Sequence, residues 1–138
     1  MLAQFATVSE GMVNTLGAGW MVRPPEPAGP AAVVVMVSVP RDQEGDHVVR
    51  VELLDAQGQR VHLGPPYTEI GEQQELSFEA QVSAQGRPGV DPELPLLAPF
   101  AFTIGPFPLP AGQSFRWQVF VDGETREGWS VGFRTSPP

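Results

Sequence analysis

Cysteine and lysine are both missing from this 138-residue chain, and no segment carries a sustained helical spacing of apolar residues. Without cysteine there is neither a disulfide framework nor a thiolate ligand for a metal, which suits a reducing compartment. Without lysine, all eight cations are arginines, at positions 23, 41, 50, 60, 87, 116, 126 and 134, with no basic run among them. Sixteen carboxylates outweigh them and set the net charge at −8. Such a surface repels phosphate backbones and anionic lipid, so neither a nucleic-acid nor a membrane partner is expected. Long apolar runs are missing too: residues 31–37 form the longest, far short of the roughly 20 that a membrane helix needs. The first residues, Met1-Leu2-Ala3-Gln4-Phe5, have neither the basic leader nor the apolar stretch of a signal peptide. The expected location is cytoplasmic.

What the chain does contain is short apolar alternation cut up by 16 prolines and 15 glycines. Phe115, Trp117, Val119 and Val121 alternate with Arg116 and Gln118, the period of two expected of a strand with one buried face. Asp122-Gly123 then suits a two-residue hairpin turn, and the return runs through Trp129, Val131 and Phe133. Val49, Val51 and Leu53 point inward opposite Arg50 and Glu52, before an Asp55-Ala56-Gln57-Gly58 turn that leads back through residues 60–63. Leu76, Phe78, Ala80 and Val82 repeat the pattern, as do Phe100, Phe102 and Ile104. Residues 31–39 are apolar on both faces and are expected in mid-sheet. A first strand is expected over residues 3–8, with Ala3, Phe5 and Thr7 on one side, and a second over 12–16. Eight or nine strands without helices predict one all-β domain over residues 1–138. Its expected form is an antiparallel two-sheet sandwich, immunoglobulin-like in architecture, with a closed β-barrel as the alternative.

Chemical motifs are sparse. Gly17-Ala18-Gly19 lacks the third glycine of a dinucleotide loop, whose place is held by Val22, and reads as a strand bulge. Asp42, Glu44 and Asp46 alternate as calcium ligands often do, yet His47 and Leu53 stand where a helix-loop-helix calcium loop needs Gly and Glu. Weak calcium binding there stays open. The two histidines, His47 and His62, are too few for a catalytic zinc, and counting out from the turn sets them opposite positions 66 and 51, apart from each other. No Gly-x-Ser-x-Gly elbow occurs. No catalytic, cofactor-binding or metal residue is therefore assigned, and the protein is not expected to be an enzyme.

The segment 5–20, with its Glu10-Gly11 turn and Gly17-Ala18-Gly19-Trp20 end, resembles the opening of a small bacterial β-sandwich family of unknown function. Leu109-Pro110-Ala111-Gly112 and Val119-Phe120-Val121-Asp122-Gly123 resemble that family's carboxy-terminal part. The resemblance implies a cytoplasmic β-sandwich and brings no site residues with it.

Function is then expected to lie in contact. Residues 84–99 form a long Pro-rich segment carrying Leu94, Leu96 and Leu97, either a cap on an open end or an apolar docking loop. Arg116 and Phe120 share an outward strand face with Gln118, and Trp20 takes its phase from the glycine bulge before it, whereas Trp117 and Trp129 read as core. These six residues, Leu94, Leu96, Leu97, Arg116, Phe120 and Trp20, are the partner-binding candidates. The expectation is a non-enzymatic interaction or assembly module, acting through that loop or an exposed sheet edge, with a protein partner or as a homodimer. A small-ligand or carbohydrate-binding domain and a phage or virion structural component are the alternatives.

Overall fold

The computed structural model describes residues 1–63 and 74–138. In chain order the strands are β1 (Leu2–Ala3), β2 (Phe5–Ser9), β3 (Met12–Leu16), β4 (Val22–Arg23), β5 (Ala31–Val39), β6 (Gly45–Asp55), β7 (His62–Leu63), β8 (Gln74–Glu75), β9 (Ser77–Ala84), β10 (Leu96–Ile104), β11 (Ser114–Val121) and β12 (Ser130–Thr135). One 3-10 turn, Arg41–Gln43, is the sole helical piece among the described residues. No helix there is long and apolar enough to cross a membrane.

Two sheets dominate, one of three strands in the order β1-β5-β10 and one of five in the order β4-β12-β11-β6-β9. β2-β3 and β7-β8 form separate pairs, and the sheets do not close into a barrel. Among the described residues pairing is antiparallel with one exception: β4 runs parallel to β12, which corrects the expectation of a wholly antiparallel fold. Leu2, Val33, Val35 and Phe102 of the smaller sheet join Val49, Val51, Leu53 and Trp117 of the larger one in a single apolar core. Each such side chain contributes about 1.5–3 kcal/mol when fully buried.

Apolarity on both faces of β5 has a local cause. Val33 and Val35 reach the shared core, while Ala32 and Val34 pack with Ala3 and Ala6 in a second cluster beneath the β2-β3 hairpin. The hairpin covers only that half of the strand, and Met36 beyond it is 59% exposed. The expected first strand is broken for the same reason. At Gln4 the chain leaves the small sheet to build the hairpin, Gln4 N–H donating to the Leu16 carbonyl at 3.1 Å. The phase therefore slips, burying Ala6 and exposing Phe5. Gly17, at φ 62°, sits where a Cβ would lie 2.6 Å from the Gln4 side chain. The glycines thus end the hairpin in a tight turn rather than forming a bulge.

Asp55 turns the chain as expected. Its Oδ1 accepts the N–H groups of Gln57 and Gln59, each at 2.9 Å, and Gly58 takes φ 79°. Yet β6 finds its long partner in β9, from Gly45↔Ala84 to Glu52↔Ser77, and meets the returning chain only at Leu54↔Arg60. His47 consequently faces Val82, not position 66, which lies outside the described residues, and His62 faces Glu75. Removing this shared acceptor with Asp55→Ala is expected to cost about 1 kcal/mol, and Asp55→Asn should recover most of it, as read from urea melts.

Candidate binding site at the free edge of β5

The ladder of β5 with β10 runs from Ala31↔Ile104 to Val39↔Leu96 and places Pro99 opposite Met36. Facing residues of an antiparallel pair alternately exchange two hydrogen bonds or none. Pro99 has no N–H, so Met36 cannot be one of the bonded positions. Odd-numbered residues of β5 therefore bond to β10, and even-numbered ones turn their backbone groups to the opposite edge. Val34 shows this directly: its N–H donates to the Met1 carbonyl at 2.7 Å and its carbonyl accepts from the Met1 nitrogen at 2.9 Å. Met36 and Ser38 face the same way, past the point where β1 ends, and no described residue meets them.

Beneath this edge lies a cleft of about 540 Å³ between β5 and the far ends of β11 and β12. Its floor is half-buried and apolar, made by Val37, Val119, Val121 and Val131. β1 pairs with β5 only at Val33 and Ala32, short of this floor. One end of the lip is acidic, with Asp122 and Glu124. Farther along, Arg126 lies over the ring of Trp129 at 5.3 Å. Asp122-Gly123 makes the expected turn, with φ of 51° and 80°. The return strand starts only at Ser130, however, because the side chains of Gln118 and Thr125 hold an intervening excursion in place.

His47 fastens the acidic end. Its Nδ1 lies 2.6 Å from Asp122 Oδ2 and its Nε2 lies 2.7 Å from the Gln43 carbonyl. Two acceptors satisfy only the imidazolium, which can donate from both nitrogens. The hydrogen bond to the Asp122 carboxylate, followed by that to Gln43, raises the His47 pKa. The same bond, with the Val48 N–H at 2.9 Å, lowers that of Asp122. The latch joins the turn after β5 to β6 and to the end of β11.

The sign for stability follows. The His47 contribution is complete below its ordinary value of 6.5 and is lost as pH rises through the raised one. The Asp122 contribution is complete above 3.8 and is lost as pH falls through the lowered one. The difference in melting temperature between the wild type and His47→Gln should therefore be greatest between those two ordinary values and shrink on the alkaline side. A difference that stays constant into alkaline pH would contradict the latch.

The residues singled out in the sequence are scattered. Leu94 is exposed, but its segment is pinned: Arg41 donates to the carbonyls of Leu94 and Asp91, at 2.7 and 3.0 Å, and Arg87 to that of Glu10 at 2.8 Å. Leu96 is not in a loop at all; it opens β10 and is 4% exposed, within the core. Leu97, 64% exposed, stands opposite Ser38 on the outer face that also carries Met36, but on β10, across β5 from the free edge. Arg116 and Phe120 lie across the molecule, with Phe120 half-buried under the Arg50 guanidinium at 4.5 Å. Trp20 packs edge-to-face on Phe133 at 5.5 Å, and Trp129 lines the cleft instead of the core. Glu44 accepts the Gly86 N–H at 2.8 Å, and no three acidic or histidine side chains among the described residues converge on a metal position.

Met36, Ser38 and the three floor valines 119, 121 and 131 were missed. One signal was present in the sequence, since residues 31–39 contain neither a charge nor a proline, the usual protections of a sheet edge. No protein-family model, curated protein or solved structure matches this chain.

Proposed function

We propose that this chain is a non-enzymatic protein-interaction module that takes up an extended segment of a partner along the free edge of β5. The carrying observation is an unprotected strand edge set above an apolar cleft. Edges of folded proteins are normally blunted, as the outer edge of β10 is by Pro99. At β5 the backbone groups of Met36 and Ser38 point outward with no described residue against them, and half-buried valines lie below. That combination suits strand addition, in which backbone bonds supply affinity and alternate side chains supply selectivity.

An immunoglobulin-like sandwich is the finer reading of the fold. The strand orders β1-β5-β10 and β12-β11-β6-β9 follow the A-B-E and G-F-C-C′ succession of variable-type domains, with the β2-β3 hairpin as an addition. A sugar platform has less support. The ring of Trp20 is engaged by Phe133, and that of Trp129 by Arg126.

Ser38→Pro tests the proposal. The Ser38 N–H faces the free edge, so proline removes no ladder bond there. Selection from a random linear-peptide library is expected to enrich peptides on the wild type that the Ser38→Pro protein does not retain, although both give the same far-ultraviolet circular dichroism. No enrichment on the wild type, or equal retention by a folded Ser38→Pro, overturns it.

A further inference from the structure

The partner segment can be specified further, on the assumption that the strand-accepting reading is right. We infer that it runs antiparallel to β5 and carries a basic residue at its amino-terminal end, followed by apolar side chains at alternate positions.

Direction comes from the ladder already present. β1 is antiparallel to β5, and Met1 just before it lies opposite Val34, at the level where the open stretch begins. An occupant in line with it extends the same ladder, exchanging both bonds with Met36 and both with Ser38. A parallel occupant would give the weaker, slanted pattern and would meet β1 head to head.

Side-chain preference follows from register. Facing residues in a ladder share a face, so occupant side chains opposite Val35, Val37 and Val39 enter the cleft above Val119, Val121 and Val131. Those opposite Met36 and Ser38 lie outside, beside those two residues, and need not be apolar.

Charge sets the polarity of the ends. An antiparallel occupant starts near Val39, at the lip where Asp122 and Glu124 lie. The Asp122 side chain remains 51% exposed despite its bond to His47. Arg41 is turned toward the carbonyls of Asp91 and Leu94, and Arg126, farther along the cleft, lies over the Trp129 ring. The net charge of −8 works in the same sense: it repels a second copy of this chain and attracts a cationic segment.

Fluorescence anisotropy of labelled synthetic peptides of about eight residues provides the test. The first peptide begins Arg-Arg and continues with alternating Val and Thr. The second begins Glu-Glu, the third places the arginines last, and the fourth is the first peptide N-methylated at the residues that face β5. The first should bind roughly tenfold or more tightly than the second and third. That gap should close between about 0.05 M and about 0.5 M salt, as screening predicts. Glu124→Gln, a change of one exposed side chain, should weaken only the first.

If the first three bind alike and the fourth does not, strand addition stands and the inferred partner is wrong. If the fourth binds as well as the first, or none binds at about 1 mM, strand addition itself fails. If sedimentation shows a dimer that the first peptide must dissociate before binding, the occupant is a second copy and the inference is overturned.

Discussion

Arg23→Leu is expected to destabilise the protein by about 3 kcal/mol while leaving the cleft at the other end of the fold unchanged. Arg23 is 8% exposed, and no carboxylate among the described residues pairs with it. Backbone carbonyls take that role. Nε donates to Pro24 at 3.1 Å, and Nη2 donates to Pro25 at 3.2 Å and to Phe107. The guanidinium also lies over the ring of Phe107 at 4.7 Å and near that of Phe133 at 6.0 Å. Burial lowers its pKa to about 10, a sign that holding the cation there costs free energy. Leucine removes that cost but leaves the buried carbonyl of Phe107 without its donor, at about 1–3 kcal/mol, and leaves Pro25 with only the Leu109 N–H.

The loss of the donors should prevail because one side chain ties three segments together: β4, the Pro24-Pro25 corner and the stretch entering Leu109, whose N–H bonds to Pro25 at 2.9 Å. Arg23→Lys should recover only part of the stability, since an ammonium neither forks between two carbonyls nor stacks on both rings. Urea unfolding followed by tryptophan fluorescence measures this directly. A variant as stable as the wild type would mean that relief of cation burial outweighs the lost bonds.

Such a clamp is invisible in the sequence, where Arg23 precedes three prolines within five residues and looks like the polar end of a strand. The alternation of Val49, Val51 and Leu53, and of Phe115 and Trp117, was legible because each strand has one face on the shared core. Period two gives the face of a residue but not what lies over that face. Glu52 has the outward phase expected of it and is nonetheless buried, with Arg50 and Arg60 at 3.2 and 3.3 Å from its Oε1.

Strand neighbours were less legible still, because they are set by contacts distant along the chain. β6 turns at Asp55 as its sequence dictates and then pairs mostly with β9, after an interval that local turn chemistry does not encode. The candidate site suffered most from this. Residues 31–39 were read as a central strand from their composition, and the strand is central, with β1 on one side and β10 on the other. Among the described residues only half of it has both neighbours, since β1 pairs with Val33 and Ala32 alone.

Trp117 and Trp129 look equivalent in the sequence, each an indole on the inward phase of its segment, and their alanine variants should separate sharply. Trp117→Ala is expected to cost about 3–5 kcal/mol, since a large cavity would open where the core cannot readily collapse. The indole is 3% exposed, its β-neighbours are Leu53 and Val131, and its ring lies 6.1 Å from that of Phe78. A loss of this size consumes much of the stability of a domain this long. Differential scanning calorimetry should therefore show a melting temperature lowered by roughly 10 °C or more.

Trp129→Ala should cost less than about 1.5 kcal/mol. Its ring is half-exposed at the cleft, and what it loses is chiefly the contact with Arg126. Its effect should appear in binding instead, because the indole and Arg126 together form the lip along which an added strand would lie. Equal destabilisation by the two variants would place Trp129 in the core and close the cleft, and the argument for a strand-accepting edge would lose its floor.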